Sequence, residues 1–179
     1  MSHAWKHFCT VTKHRHKVIA HCLKAGLGWQ GLFHDLSKYT PTEFRQGAKY
    51  YQGTRSPNDI ERRENGYSQA WMHHKGRNKH HFEYWTDYHP VRRRMEPVEM
   101  PTRYLVEMLC DRMAASKTYQ GDAYTDESSL TYFLNGNARH AMHPETARRL
   151  EILLRLLAEK GEDAVFATTR QWLKEEKKK

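Results

Sequence analysis

Residues 31–44 read "GLFHDLSKYTPTEF", and two instructions overlap in them. The second half is a helix start: Thr40 stands as N-cap, Pro41 fills the first helical position, where its missing N–H costs nothing, and Glu43 closes a capping box. The first half sets His34 directly beside Asp35 on what reads as a short, half-buried helix carrying "LFHDL", with Lys38 one helical turn further on. Two side chains that bind metals well, adjacent and inward, ask for a structural reason.

Helical periodicity continues on both sides. Upstream, a helix from about Thr10 to Ala25 places Val11, Val18, Cys22 and Ala25 on one stripe and ends at "GLG". Downstream, Ser56 and Pro57 open a helix in which Ile60, Tyr67, Trp71 and His74 share a face, so His74 continues an apolar stripe. After Gly76 a short helix starts near Asn78, which is expected to cap it, and Tyr84 and Trp85 at helical spacing are expected in the core. "HPVRRRMEPVEMP" reads as an exposed loop. Pro101 then opens a long helix, "TRYLVEMLCDRMAASKTY", with Tyr104, Met108, Asp111 and Ala115 on its buried side. "HPETARRLEILLRLLAEKG" turns Leu150, Leu153, Leu154 and Leu157 inward, and "DAVFATTRQWLKEE" forms a last helix. Strand signals are weak throughout. The sum is an all-α bundle of roughly seven or eight helices in a single domain over residues 1–179.

Composition bounds the partners. Thirty Lys plus Arg against 21 Asp plus Glu leave a net charge of +9, which attracts anions without specifying a fold. The three cysteines lack any CxxC, which argues against a disulfide framework or a thiolate zinc site and fits a reducing, cytoplasmic setting. No apolar run has the length of a membrane span or a signal peptide, so no membrane partner is expected. Histidine is the anomaly: of 13 residues, five lie between His73 and His89, and neutral imidazole is the commonest metal ligand.

An ionised carboxylate such as Asp111 among apolar neighbours costs several kcal/mol unless a cation or metal meets it. The same holds for Asp35. One shared metal would satisfy both, together with the inward imidazoles of His14, His34, His74, His80 and His81, which fall in order on successive helices.

This ordered set resembles the HD-domain superfamily of metal-dependent phosphohydrolases: an upstream helical histidine, His14, then His34-Asp35, then Asp111, with "HDLSK" similar to that superfamily's HD-x-G-K form. More closely, "HRHKV", "AGLGWQGLFHDLSKYTPTEF", "YSQAWMHHKGRNKHHFEYW" and "VEMLCDRMAASKTYQG" are similar to uncharacterised bacterial and phage proteins grouped as the DUF5662 family, over residues 10 to 150 or so. The resemblance implies an HD-like helical bundle in which His34, Asp35 and Asp111 hold a first divalent ion with an upstream histidine. His14 is the first choice for that place, by its spacing to Val18, with His16 second and His21 third. It implies a second ion on His74 with His80 or His81, Asp35 bridging, so that the cofactor is one or two ions of Mn, Fe, Mg, Co, Ni or Zn.

The expected reaction is phosphoester hydrolysis by a metal-activated water that Asp35 orients. Lys38, Lys75 and Arg77 are expected to meet the phosphates of a small anionic substrate such as a nucleotide. Two other functions remain in view: an HD-fold di-iron oxygenase, and a non-catalytic nucleic-acid-binding protein using the basic charge. The last leaves Asp111 and the His-Asp pair unexplained.

Overall fold

The computed structural model describes residues 1–178, whose regular elements are helices save for one short hairpin. Helix α1 (His3–Ala25) begins well before the expected Thr10. Ser2 caps it, its hydroxyl accepting from the Trp5 N–H at 3.3 Å, and the buried stripe runs His7, Val11, His14, Val18, Cys22 and Ala25. Histidines occupy places an aliphatic residue would fill, so hydropathy conceals the first turns. Gly26, at φ 92°, ends the helix and turns its N–H back onto the last carbonyls.

Helix α2 (Gly28–Leu32) stops short of the His-Asp pair, which corrects the expectation of a helix through "LFHDL". His34 and Asp35 sit in the turn between α2 and a 3-10 helix, Leu36–Tyr39. Asp35 itself is left-handed, with φ 54° and ψ 24°, a conformation that aspartate and asparagine tolerate better than most residues with a Cβ. Arg15 of α1 clamps the turn, its Nε donating to the His34 carbonyl at 3.1 Å and its Nη2 to that of Leu32. Gly31 fits closely against α1, where an added Cβ would stand 2.5 Å from the Cβ of Cys22.

Helix α3 (Pro41–Lys49) starts where the sequence predicts, but without the capping box. Thr40 donates back to the Ser37 carbonyl at 2.6 Å, and Glu43 turns into the interior. One expected helix is two, α4 (Pro57–Asn65) and α5 (Gln69–Lys75). Gly66, at φ 79°, ends the first; Ser68 caps the second by accepting from Trp71 N–H at 3.0 Å and donates to buried Glu61 at 2.5 Å, leaving Tyr67 exposed.

The helix expected from Asn78 is absent. Phe82–Tyr84 make one 3-10 turn, and β1 (Thr86–His89) pairs antiparallel with β2 (Arg94–Pro97), Thr86 opposite Pro97. Most of both strands is exposed on both faces, so no alternation marks them. Tyr84 is exposed rather than core, while Trp85 is half-buried against Tyr104 and donates to the Lys79 carbonyl at 2.7 Å.

Helix α6 (Thr102–Gln120) is the spine, with α7 (Ser128–Asn135), α8 (Ala138–Ala141) and α9 (Pro144–Glu176) following. It packs on α1 and on α9, while α3 joins α1 to α5. Leu105, Val106, Leu109, Cys110, Met113 and Ala114 bury adjoining faces of α6, as an almost enclosed helix requires. The stripe read from the sequence is one edge of that surface: Met108 is buried, whereas Tyr104, Asp111 and Ala115 are half-buried. Leu150, Leu153, Leu154 and Leu157 point inward as predicted, and Gly161, at φ 76°, breaks α9 between the two C-terminal segments. Among the described residues no helix is long and apolar enough to cross a membrane.

Gly31→Ala is expected to cost about 1–3 kcal/mol by overpacking the α1–α2 contact; an unchanged urea midpoint would contradict that contact. His7, buried between α1 and α3, has its pKa lowered from 6.5 to about 4 by burial and then by Lys38. An imidazole neutral in the fold but free to protonate when unfolded makes stability fall as pH drops from 6.5 towards about 4. His7→Gln should reduce that slope in urea midpoints measured across the interval.

Candidate metal centre

The clamped turn brings Asp35 to the junction of α1, α5, α6 and the segment after α5. On one side, His14 of α1 presents Nε2 to Asp111 Oδ1 of α6 at 3.0 Å. His34 Nε2 lies 3.6 Å from that same oxygen and 3.3 Å from Asp35 Oδ2. On the other side, Asp35 Oδ1 lies 3.2 Å from His74 Nε2 and 3.4 Å from His80 Nε2, and His81 Nε2 stands 2.9 Å from His74 Nε2. Each set, His14-His34-Asp35-Asp111 and Asp35-His74-His80-His81, offers one donor atom per residue, all within 4.8 Å of one another. Asp35 is common to both, one oxygen to each.

Burial makes this arrangement costly unless it is completed. Asp35 is 1% exposed, and both of its oxygens lack a hydrogen-bond partner, as do Nε2 of His14, His34 and His80. Lys38 Nζ stands 2.6 Å from Asp35 Oδ2, a charge contact rather than an aligned hydrogen bond. Buried polar atoms are seldom left unpaired, and these five face inward from three segments of the chain. Divalent ions with histidine and carboxylate ligands fit such a donor set.

The electrostatics favour ionised carboxylates. Burial pushes the Asp35 and Asp111 carboxyls up, but the facing imidazoles, and for Asp35 also Lys38, outweigh it and hold both well below the usual range. Burial lowers the His34 pKa, yet Asp35, Asp111 and Glu107 raise it above its ordinary value. For His14 burial wins and the pKa is lowered. A cation entering the cluster therefore meets preformed charge and displaces imidazole protons.

Of the three upstream candidates, only His14 joins the cluster. His16 is exposed, and His21 is engaged elsewhere, its Nδ1 3.2 Å from the Cys110 carbonyl and its Nε2 3.3 Å from Lys117 Nζ. Lys38 reaches the cluster with about a quarter of its side chain exposed. Arg77 folds back onto the His73 carbonyl, and Lys75 lies half-buried at the end of α5, where its charge acts on Glu83. Asn78 caps no helix; its amide donates to the His74 carbonyl at 2.8 Å and to Ser37 Oγ at 2.8 Å, bracing α5 against the turn.

Two buried glutamates escaped the sequence reading. Glu107 lies behind His34 and His80, and Glu43 lies behind His73 and His74. Glu107 had a signal: it is the one charged residue in the otherwise apolar run Leu105–Cys110, four residues before Asp111. Glu43 was masked by a plausible capping role.

A family model described as "Family of unknown function (DUF5662)" matches residues 3–156. Among curated proteins and solved structures nothing matches the chain. Binding to the native state alone stabilises it by about 2.7 kcal/mol at a ligand concentration a hundred times Kd. Adding manganese to chelator-treated protein should therefore raise the melting temperature, and His14→Ala should shrink the rise; an identical melt with and without the metal would contradict the site.

Proposed function

We propose that the chain, which belongs to the DUF5662 family of unknown function, is a metal-dependent phosphohydrolase of the HD type that uses two divalent ions on either side of Asp35 to cleave a nucleotide or related phosphoester. The observation that carries this reading is the set of unpaired, inward donor atoms flanking one shared carboxylate. His14, His34 and Asp111 would hold the first ion with Asp35, and His74, His80 and His81 the second with the other Asp35 oxygen. Divalent ions there supply Lewis acidity and an acidified water at neutral pH, the two things that phosphoester hydrolysis otherwise lacks.

The chain's own groups then have distinct tasks. Asp35, fixed by its turn, accepts a hydrogen bond from the attacking water and orients it. Lys38 is the partly exposed cation of the cluster; burial lowers its pKa, but Asp35 and Asp111 outweigh that and keep it charged. It can leave Asp35 Oδ2 and donate to a phosphoryl oxygen. The four carboxylates Asp35, Asp111, Glu43 and Glu107 balance two divalent ions, so the Lys38 charge is left over for an anionic substrate.

Tag-free protein loaded in turn with manganese, magnesium, cobalt or nickel should release phosphate or nucleoside from some member of a nucleotide panel. Asp35→Ala should abolish the release. Lys38→Ala should lower kcat/KM about ten- to a hundredfold, the worth of one hydrogen bond to a charged group. No turnover of any phosphoester by the loaded protein would contradict the proposal.

The three imidazoles of the second set also suit iron, which supports a second reading, oxygen activation by a di-iron pair. Anaerobic purification separates the two: that reading requires bound iron and a mixed-valent paramagnetic signal, and an iron-free active protein would sink it.

A further inference from the structure

We infer that Glu107 is a positioning residue that ties the two halves of the centre together from behind, by fixing which nitrogen of His34 and of His80 faces inward; this rests on the two-ion reading above. A single oxygen, Glu107 Oε1, lies 2.9 Å from His34 Nδ1 and 3.3 Å from His80 Nδ1. His34 belongs to the first ligand set and His80 to the second. A carboxylate oxygen accepts, so the Nδ1 atoms turned towards it are the ones that carry protons, and the Nε2 atoms are the ones left to face an ion. Those two Nε2 atoms are the unpaired ones, and they stand 3.3 and 3.4 Å from opposite oxygens of Asp35. The two rings lie against each other, 4.3 Å between centroids and tilted by 38°.

Glu107 is itself held. Its second oxygen accepts from Gln30 Nε2, and Gln30 Oε1 accepts from Arg103 Nε at 3.0 Å, a chain running from the surface to the imidazoles. A direct role as a ligand to an ion between His34 and His80 would turn their Nδ1 atoms to that ion and leave the converging Nε2 atoms without purpose. Partners behind ligating histidines commonly act in this outer position.

Glu43 supplies an internal control. Its Oε2 lies 2.8 Å from His74 Nδ1, while its Oε1 goes to His73 at 2.7 Å, and His73 belongs to neither set. Glu43 thus supports one half of the centre and Glu107 supports both.

The test is calorimetric titration of chelator-stripped, tag-free, full-length protein with manganese, alongside paramagnetic resonance for a coupled pair. The parent should take two ions and show coupling. Glu43→Gln should weaken one ion by about 10–100-fold and spare the other, whereas Glu107→Gln should weaken both by about that factor and abolish the coupled signal. A loss confined to one ion, or no loss, in Glu107→Gln overturns this inference and leaves the two-ion reading standing; a parent that takes fewer than two ions overturns both. Should Glu107→Gln fail to fold, as judged by circular dichroism of the stripped protein, Gln30→Ala frees the outer Glu107 oxygen and should weaken both ions by a smaller factor. Unchanged binding of both ions in Gln30→Ala would then overturn the inference.

Discussion

The arrangement depends on one buried carboxylate. Asp35 is almost wholly shielded from water, sits in a left-handed turn, and directs its two oxygens to opposite sides without an aligned protein donor for either. Taking an ionised group out of water costs several kcal/mol, which Lys38 and the facing imidazoles offset by their charge while leaving both oxygens without an aligned donor. Everything near it reads as a response: imidazoles aimed at it from three segments, and carboxylates behind those imidazoles.

The helices serve this point. The α1–α6 pair supplies His14 and Asp111, Asp111 standing half-buried at the edge of the α6 surface that packs into the core. Arg15, on the helix that carries His14, holds the turn that carries His34 and Asp35, so three ligands of the first set are positioned by one helix. The second set depends on α5 and the chain after it, braced by Asn78 and Ser37. Breaks that look like interruptions of periodicity, at Gly66 and after α5, are what place His74, His80 and His81 together.

How much of this was legible follows from how each residue reveals itself. Helical content was visible because Leu150, Leu153, Leu154 and Leu157, or Val11 and Val18, repeat at the helical period. His14, His74 and Asp111 were visible as polar residues on apolar stripes, while the adjacent His34-Asp35 and the mid-chain His80 and His81 joined them through the resemblance to HD-domain proteins. The turn at Asp35 was not, since a left-handed aspartate leaves no periodic mark. Neither was the hairpin, whose strands are wet on both faces. Glu43 and Glu107 stayed hidden because an acidic residue near a helix start, or on a long helix, has an ordinary solvated explanation, and only the packing shows them buried at 5% exposure each.

In the proposed site, two divalent ions share Asp35. Anomalous diffraction at the zinc edge, from crystals of tag-free protein loaded with zinc, tests it most directly. Two peaks should flank Asp35, each about 2.0–2.2 Å from histidine nitrogens and a carboxylate oxygen. No peak beside Asp35, with Lys38 still seated on its carboxylate, would contradict it.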